Sequence, residues 1–280
     1  MRFTKMHGIG NDYIYIDCTG ETVRDPEKLA FSMSRPHFGV GSDGLVLIER
    51  SDVADFRMRM FNSDGSQGAM CGNAARCVGR YVYERGLTAQ TELELETKSG
   101  NHHLSLRLAD GRVQAVQVDM GRPELRPEKI PVLLPEGQAM GYPTQVAGMA
   151  CTLHCVSMGN PHCVVFVEDP DRLRLEEIGP CFENLPVFPD RVNTEFVQVI
   201  DRKHLYMRVW ERGSGETLAC GTGACAALVA AVLTGRAGRD AELRLRGGTL
   251  RVSWSEEDDH VRQEGPAAFV FDGDWPEGAE

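Results

Sequence analysis

The chain has 280 residues, a length that suits two domains of ordinary size, each able to bury its own core. Its formal net charge of −11 argues against binding to nucleic acids or anionic membranes, because both require an excess of Lys and Arg. Nine cysteines, an odd number, occur without an export signal or a long apolar run, so we expect a soluble, cytoplasmic protein without a disulfide framework.

The first half of the chain predicts strands around one main helix. Asp25-Pro26 is typical of a helix start, because Asp caps a helix and Pro fits its first turn. Apolar residues recur at helical spacing through Asn73–Arg85, which predicts the main helix. Apolar and alternating runs predict the strands, at Tyr13–Asp17, Leu45–Glu49, Phe56–Phe61, Thr91–Thr97 and Arg112–Asp119.

The second half repeats this order after a Pro-rich stretch, Arg122–Pro143, which we interpret as a linker. Asp169-Pro170 predicts a helix start, and Ala224–Thr234 is apolar nearly all round, which predicts a helix buried inside its domain. A final apolar run, Ala267–Phe271, is expected to return to the first domain. The other strands are predicted at Cys163–Val167, Glu195–Ile200, His204–Trp210, Asp240–Arg246 and Thr249–Trp254.

Matching positions in the two halves lie at one fixed offset, 220 − 71 = 149 for Cys71 and Cys220 and 210 − 61 = 149 for Phe61 and Trp210. The offset predicts an internal duplication. We therefore expect an α+β fold of two pseudo-symmetric domains, each a mostly antiparallel sheet or barrel around a central helix. The first domain is placed at residues 1–121 together with a C-terminal strand at 266–280, and the second at 122–265.

Each half carries one Cys-Gly pair directly before its main helix, Cys71-Gly72 and Cys220-Gly221. The unpaired N–H groups of a helix start favour negative charge, so we expect a lowered pKa for both thiols and a bound carboxylate, which a glycine lets approach the backbone. Two such thiols predict removal and return of a proton beside a carboxylate, with inversion. The alternative, a small buried apolar residue, is assigned to Cys77 and Cys225.

The polar candidates have a structural and a functional interpretation. Glu211-Arg212 fits a solvated surface pair, and His162 fits a strand end or a group that tunes the second thiol. Asn62 and Glu211 are repeat equivalents, nine residues before each thiol (71 − 62 = 220 − 211 = 9), which favours a role in the site. Asparagines that precede turns often only cap the backbone, and four have this position: Asn11, Asn62, Asn160 and Asn193.

Five Cys and His residues lie close together along the chain: Cys151, His154, Cys155, His162 and Cys163. Their spacing fits no standard zinc finger, and Cys163 begins an apolar run that is typical of a buried strand. We therefore interpret these cysteines as core residues and predict no metal.

The motifs resemble those of the diaminopimelate epimerases, cofactor-independent amino-acid epimerases of lysine biosynthesis. The matching segments run in order through the chain: His7–Asp12, Gly39–Gly44, Phe61–Ser66, Met70–Cys77, Gly159–His162, Glu211–Gly213 and Cys220–Gly223. The resemblance implies epimerisation of LL-2,6-diaminopimelate to meso-diaminopimelate in a cleft between the domains, with neither pyridoxal phosphate nor a metal. It also implies a homodimer and a C-terminal strand that returns to the first domain.

The resemblance assigns a role to each site residue. It implies that Cys71 and Cys220 are the acid–base pair, exchanging roles with reaction direction, and that His162 and Glu211 flank the reacting centre. The helix-end contacts to the reacting carboxylate are Gly72, Asn73, Gly221 and Thr222. The residues that match those holding the substrate are Asn11, Asn62, Asn160, Asn193, Glu211 and Arg212.

Two alternatives remain open. The first is a proline or hydroxyproline racemase, which also uses two thiols. The first site of such enzymes resembles Met-Cys-Gly-His, and this chain has Asn73 in place of the His. A binding protein that has lost catalysis would keep the cleft. This chain keeps both thiols, which favours an enzyme.

Overall fold

The computed structural model describes residues 1–134 and 138–276. The helices of this part of the chain are α1 Pro26–Ser34, α2 Gly72–Glu84, α3 Leu175–Glu183 and α4 Gly221–Leu233, with short 3-10 helices at Pro127–Lys129 and Pro170–Arg172. The strands are β1 Arg2–Gly8, β2 Asn11–Cys18, β3 Gly44–Glu49, β4 Phe56–Asn62, β5 Gln67–Gly68, β6 Glu92–Thr97, β7 Gly100–Ala109, β8 Arg112–Asp119, β9 Met140–Val146, β10 Met149–Ser157, β11 Pro161–Phe166, β12 Asn193–Asp201, β13 His204–Glu211, β14 Gly215–Thr217, β15 Asp240–Leu245, β16 Gly248–Trp254, β17 Val261–Gly265 and β18 Ala268–Asp274. None of these helices combines the length and the apolar character that a membrane crossing requires.

The chain divides into two compact units, Met1–Asp119 with the chain from Glu264 onward, and Met120–Gln263. In the first unit, α2 packs against β1, β2, β7 and β8. The strands pair mostly antiparallel, with parallel pairs at β2–β3 and β4–β6. The final apolar run forms β18, which pairs antiparallel with β1 and sets Phe269 opposite Met6. Positions 277–280 of the predicted C-terminal segment lie outside the described residues.

The second unit repeats this arrangement. Its helix α4 is buried over nearly its whole length and packs against β10, β11, β12, β15 and β16. Its parallel strand pairs are β11–β12 and β13–β15. They correspond to β2–β3 and β4–β6 of the first unit. The starts of α2 and α4 are 221 − 72 = 149 residues apart. The predicted α+β class, the duplication and the buried helix are confirmed.

One predicted helix start is wrong. Asp169 caps only a single 3-10 turn, Pro170–Arg172, by accepting a hydrogen bond from the Asp171 backbone N–H at 3.0 Å. Leu173 is then extended, with φ −87° and ψ 135°, so the turn cannot continue into an α-helix. The helix begins at Leu175, which is the repeat position of Pro26, since 175 − 26 = 149.

Strand structure also enters the predicted linker and the predicted cysteine cluster. The end of the Arg122–Pro143 stretch belongs to β9, which pairs antiparallel with β10, while positions 135–137 lie outside the described residues. Cys155 lies opposite Cys163 on β10 and β11, and both are fully buried in the core of this unit. The interpretation of these two as core cysteines is confirmed.

The contact of α3 with β13 gives a test of this packing. A Cβ added at Gly179 would lie 2.2 to 2.5 Å from ring atoms of Trp210. The ring is held in place because its Nε1 donates to Glu183 Oε2 at 2.7 Å. We expect Gly179→Ala to lower the free energy of unfolding by about 1–3 kcal/mol, although Ala is intrinsically the better helix former by roughly 1 kcal/mol.

Urea unfolding of the purified protein measures this change. Gly20→Ala is the matched control, because a Cβ at Gly20 would meet nothing within 4 Å. The control should change the free energy by less than about 0.5 kcal/mol. If Gly179→Ala were as stable as the control, Trp210 would not be packed on α3 as described.

Candidate active site

Cys71 is the N-cap residue of α2. Its backbone is extended, with φ −142° and ψ 118°, and its carbonyl accepts the first helical hydrogen bond from Ala75 N at 2.9 Å. The thiol is partly exposed and donates to Asn11 Oδ1 at 3.4 Å. A thiol at this point therefore lies at a helix start and faces an amide oxygen.

A chain of hydrogen bonds fixes that amide. Asn11 Nδ2 donates to Asp43 Oδ2 at 2.6 Å, so its Oδ1 must point the other way, towards Cys71. Asn73 Nδ2 also donates to Asn11 Oδ1 at 3.2 Å, and the fully buried Arg76 donates to Asn73 Oδ1 at 2.7 Å. Burial raises the pKa of the Asp43 carboxyl, and the neighbouring Asp12 raises it further.

The structure therefore brings four of the predicted site residues together, Cys71, Gly72, Asn73 and Asn11. Asn62 lies at the exposed end of β4, where its Nδ2 donates to Ser66 Oγ at 3.0 Å. Asp43 and Arg76 complete this group and were missed. Both lie inside the quoted motifs, but only the fold shows that their side chains point at Asn11 and Asn73.

Cys220 is the N-cap residue of α4 and is buried. Its backbone matches that of Cys71, with φ −126° and ψ 109°. The sulfur accepts a hydrogen bond from the Gly223 backbone N–H at 3.4 Å and lies 3.6 Å from Thr222 Oγ1. Unlike Cys71, this thiol caps its own helix.

The two glycines of the Gly221-Thr222-Gly223 segment make room for neighbouring side chains. A Cβ at Gly221 would lie 2.7 Å from Gln263 Oε1, and one at Gly223 would lie 2.5 Å from Glu195 Oε1. We expected glycine at 221 in order to admit a ligand to the backbone. The protein's own packing also requires it.

Three ionisable side chains surround Cys220. His162 Nδ1 lies 2.7 Å from Glu195 Oε1, and both side chains are fully buried. A ring nitrogen of His162, a carboxylate oxygen of Glu195 and the Cys220 sulfur lie within 4.8 Å of one another. Glu211 Oε1 accepts a hydrogen bond from the Thr217 hydroxyl. The sequence predicted His162 and Glu211 near this thiol but missed Glu195. The one feature of the sequence that marks Glu195 is that it is an acidic residue within an apolar strand.

The electrostatics of Cys220 differ from our expectation. Burial raises the pKa of this thiol well above its usual range, and the carboxylates of Glu211 and Glu195 raise it further. The Thr222 hydroxyl and the Gly223 N–H act in the opposite direction and are outweighed. Burial likewise raises the pKa of Glu211. The predicted lowering of the thiol pKa is therefore wrong for Cys220.

The remaining candidates lie at strand ends, Asn160 directly before β11, Asn193 at the start of β12 and Arg212 directly after β13. Asn193 Nδ2 donates to the Pro161 carbonyl at 3.0 Å, and its Oδ1 accepts from the Arg212 backbone N–H at 2.9 Å. The Arg212 guanidinium donates to the Asp190 carbonyl at 2.9 Å. Asn160 Oδ1 lies 3.0 Å from His162 Nε2. Asn193 thus positions Arg212, and Asn160 contacts the histidine beside Cys220.

His162, Glu195 and Cys220 have the donor types of a zinc site. Both ring nitrogens of His162 are already in hydrogen-bonding contact, with Glu195 at 2.7 Å and with Asn160 at 3.0 Å. A metal would have to displace one of these contacts. The arrangement fits proton transfer at the thiol better than metal binding.

Comparison with known proteins agrees with this geometry. Residues 3–126 and 154–270 match the family described as "Diaminopimelate epimerase". The diaminopimelate epimerase of Acetivibrio thermocellus is 55% identical over 274 residues, which cover 98% of each chain. That of Methanococcus maripaludis strain S2 is 50% identical, over 98% of this chain and 99% of the relative.

A solved structure shares the fold. The hydroxyproline epimerase of Agrobacterium vitis superposes with a TM-score of 0.73 over 98% of this chain and 91% of its own. The identity is 16%, so the likeness shows the fold alone.

The contact between Thr222 and the sulfur can be tested by titration. Thr222→Val removes the hydroxyl that stabilises the thiolate, so we expect the pKa of Cys220 to rise by about 0.5 to 1 unit, the equivalent of a hydrogen bond worth roughly 1 kcal/mol. Thiolate ultraviolet absorbance against pH, taken as the difference from the same protein carrying Cys220→Ala, measures it. Thr222→Ser keeps the hydroxyl and is the control. A fall in the pKa with Val would contradict the described contact.

Proposed function

The chain belongs to the diaminopimelate epimerase family, and from this we propose that it converts LL-2,6-diaminopimelate to meso-diaminopimelate by acid–base catalysis with Cys71 and Cys220. The reaction removes the hydrogen of one α-carbon and returns one to the opposite face. It requires one base and one acid, and it supplies meso-diaminopimelate for lysine biosynthesis and peptidoglycan precursors.

The observation that carries the proposal is that each unit holds a thiol at the N-cap of its buried central helix, at the same repeat position. The free N–H groups of such a helix start bind a carboxylate. They also stabilise the charge that develops on this carboxylate as the α-hydrogen leaves, usually the largest catalytic contribution. Gly72 and Asn73 supply these groups in the first unit, and Gly221 and Thr222 in the second.

The two thiols exchange roles with reaction direction. The thiolate of one cysteine takes the α-hydrogen, and the thiol of the other donates a proton, so both sulfurs must reach the same carbon. The raised pKa of Cys220 makes its thiolate a strong base once formed. His162 and Glu211 act beside Cys220, where they orient the thiol proton and set the charge around the sulfur.

Diaminopimelate carries an ammonium and a carboxylate at both ends, so the enzyme needs acceptors and donors away from the reacting carbon. Amide side chains and one guanidinium fit this requirement. We assign substrate holding to Asn11, Asn62, Asn160, Asn193, Glu211 and Arg212. We further propose, from the family resemblance, that the enzyme is a cytoplasmic homodimer without pyridoxal phosphate or a metal, with domains at 1–121 plus 266–280 and at 122–265.

A proline or hydroxyproline racemase is the second candidate. Its support is the fold shared with the hydroxyproline epimerase, at 16% identity. The relatives at 50–55% identity over nearly the whole chain favour diaminopimelate instead.

The first test is turnover in deuterated water under reducing conditions. LL-diaminopimelate should gain deuterium at the inverted α-carbon and yield the meso isomer, followed by mass spectrometry and chiral chromatography. L-Proline and trans-4-hydroxy-L-proline are run in parallel and should stay unlabelled. Labelling of either imino acid without labelling of diaminopimelate would establish the second candidate.

The second test removes each thiol. Cys71→Ala and Cys220→Ala should each reduce kcat by at least about 100-fold, because general acid–base catalysis supplies about 10²–10⁴-fold. Cys181→Ala is the control, because Cys181 is exposed on α3 and should leave kcat unchanged. Circular dichroism checks the fold. Near-normal epimerisation by either single variant would rule out the two-base scheme.

A further inference from the structure

We propose that Glu195 is a positioning residue for proton transfer at Cys220, a role that rests on the proposed function. Its carboxylate holds the imidazole of His162 in one orientation and one tautomer, and it fixes a negative charge beside the thiol. Glu195 is expected to act through its neighbours without touching substrate.

The contacts of Glu195 define the tautomer of His162. Glu195 lies in the middle of the sheet, on β12 between β11 and β13, and is fully buried. A carboxylate only accepts hydrogen bonds, so the contact of 2.7 Å between Oε1 and His162 Nδ1 requires the hydrogen on Nδ1. Nε2 is then an acceptor, and the side-chain amide of Asn160, 3.0 Å away, satisfies it when turned so that its Nδ2 rather than its Oδ1 faces the ring; both ring nitrogens are then held.

The second oxygen of Glu195 has a different environment. Oε2 is buried and makes no hydrogen bond to the described residues. An unpaired buried carboxylate oxygen destabilises a fold, so stability does not explain why an acid stands here. A buried polar atom left without a partner calls for an explanation, and a role in catalysis is one of the few available.

Glu183, another buried acid of this unit, shows the contrast. Its Oε1 accepts from Arg191 Nη1 and from the Gly213 backbone N–H, each at 2.9 Å. Its Oε2 accepts from Trp210 Nε1 at 2.7 Å. Glu183 is fully paired and ties the turn after β13 to α3, which is a structural role.

The internal repeat shows that the second half accommodates Glu195 specifically. Its repeat position is Val46 (195 − 149 = 46), and that of Gly223 is Ala74 (223 − 149 = 74). Val46 and Ala74 are both fully buried. In the second half, Glu195 is longer than Val46, and Gly223 lacks the Cβ that Ala74 has. A Cβ at Gly223 would lie 2.5 Å from Glu195 Oε1.

Charged and polar groups reach Cys220 from each neighbouring element. Glu195 lies on β12, Glu211 on β13 and His162 on β11, while Thr222 and the Gly223 N–H belong to α4. The two carboxylates both raise the pKa of the thiol. Neutralising Glu195 should therefore lower that pKa, which a purely structural residue would not do.

The test compares wild type, Glu195→Gln and Glu195→Val. Gln keeps the shape of the side chain and an acceptor for His162 Nδ1 but removes the charge. Val is the residue at the equivalent position of the first half, Val46. Glu242→Gln, on an exposed position of β15, is the matched control. Thiolate absorbance against pH, as the difference from each protein carrying Cys220→Ala, reports Cys220 directly. Steady-state kinetics with LL-diaminopimelate and ¹⁵N NMR of His162 complete the set.

We expect Glu195→Gln to lower the Cys220 midpoint by about one pH unit and kcat by at least about tenfold, with KM nearly unchanged. Glu195→Val should add loss of the Nδ1–H tautomer. An unchanged midpoint and kcat in Glu195→Gln, while wild type and Glu242→Gln turn over, would overturn the proposal. If a variant failed to fold, an unprotonated Nδ1 in the wild-type enzyme would overturn it equally. Lack of wild-type turnover would instead refute the proposed function.

Discussion

Each half of the chain buries the start of a helix among strands, and the rest of the site follows from this constraint. The first N–H groups of a helix have no partner within it, and a buried donor left unpaired costs roughly 1–3 kcal/mol. At α4, the sulfur of Cys220 satisfies the Gly223 N–H. At α2, the thiol of Cys71 instead donates to Asn11. The donors that remain at each helix end suit a carboxylate, which explains why a duplicated helix start suits amino-acid chemistry.

The size of two opposing effects decides the state of Cys220. A helix start stabilises a nearby anion by about 0.3–1 kcal/mol, which is less than one pKa unit. Burial can shift a pKa by up to about 3–5 units, and neighbouring charges of the same sign add to it. Cys220 is buried beside Glu195 and Glu211, so its pKa rises despite its position at the helix start. Such a thiol is protonated at rest and strongly basic once ionised, which suits a carbon acid as weak as an amino acid.

The sequence predicts periodic and repeated features well and isolated side chains poorly. The fixed offset and helical spacing placed α2 and α4 within three residues of their observed starts. Asp169-Pro170 misled because capping residues define a turn without saying whether a helix continues, whereas the offset from Pro26 points to Leu175. Glu195 could not be recognised, because one acid in an apolar run has no pattern, and its meaning depends on contacts with His162 and Gly223 that only the fold creates.

Duplication alone would give two equal thiols, yet the substrate is not symmetric about its reacting carbon. Three of the differences between the halves lie around Cys220. Val46 and Ala74 are replaced by Glu195 and Gly223, an exchange in which the strand gains a carboxylate and the helix loses the Cβ that would collide with it. Glu211 stands at the repeat position of Asn62, the same number of residues before its cysteine. Because α4 has the repeat bounds of α2 and the backbone of Cys220 matches that of Cys71, these substitutions change the surroundings of one sulfur on the same backbone framework. A fold with two equivalent helix ends can therefore acquire distinct acid–base partners through a few neighbouring side chains.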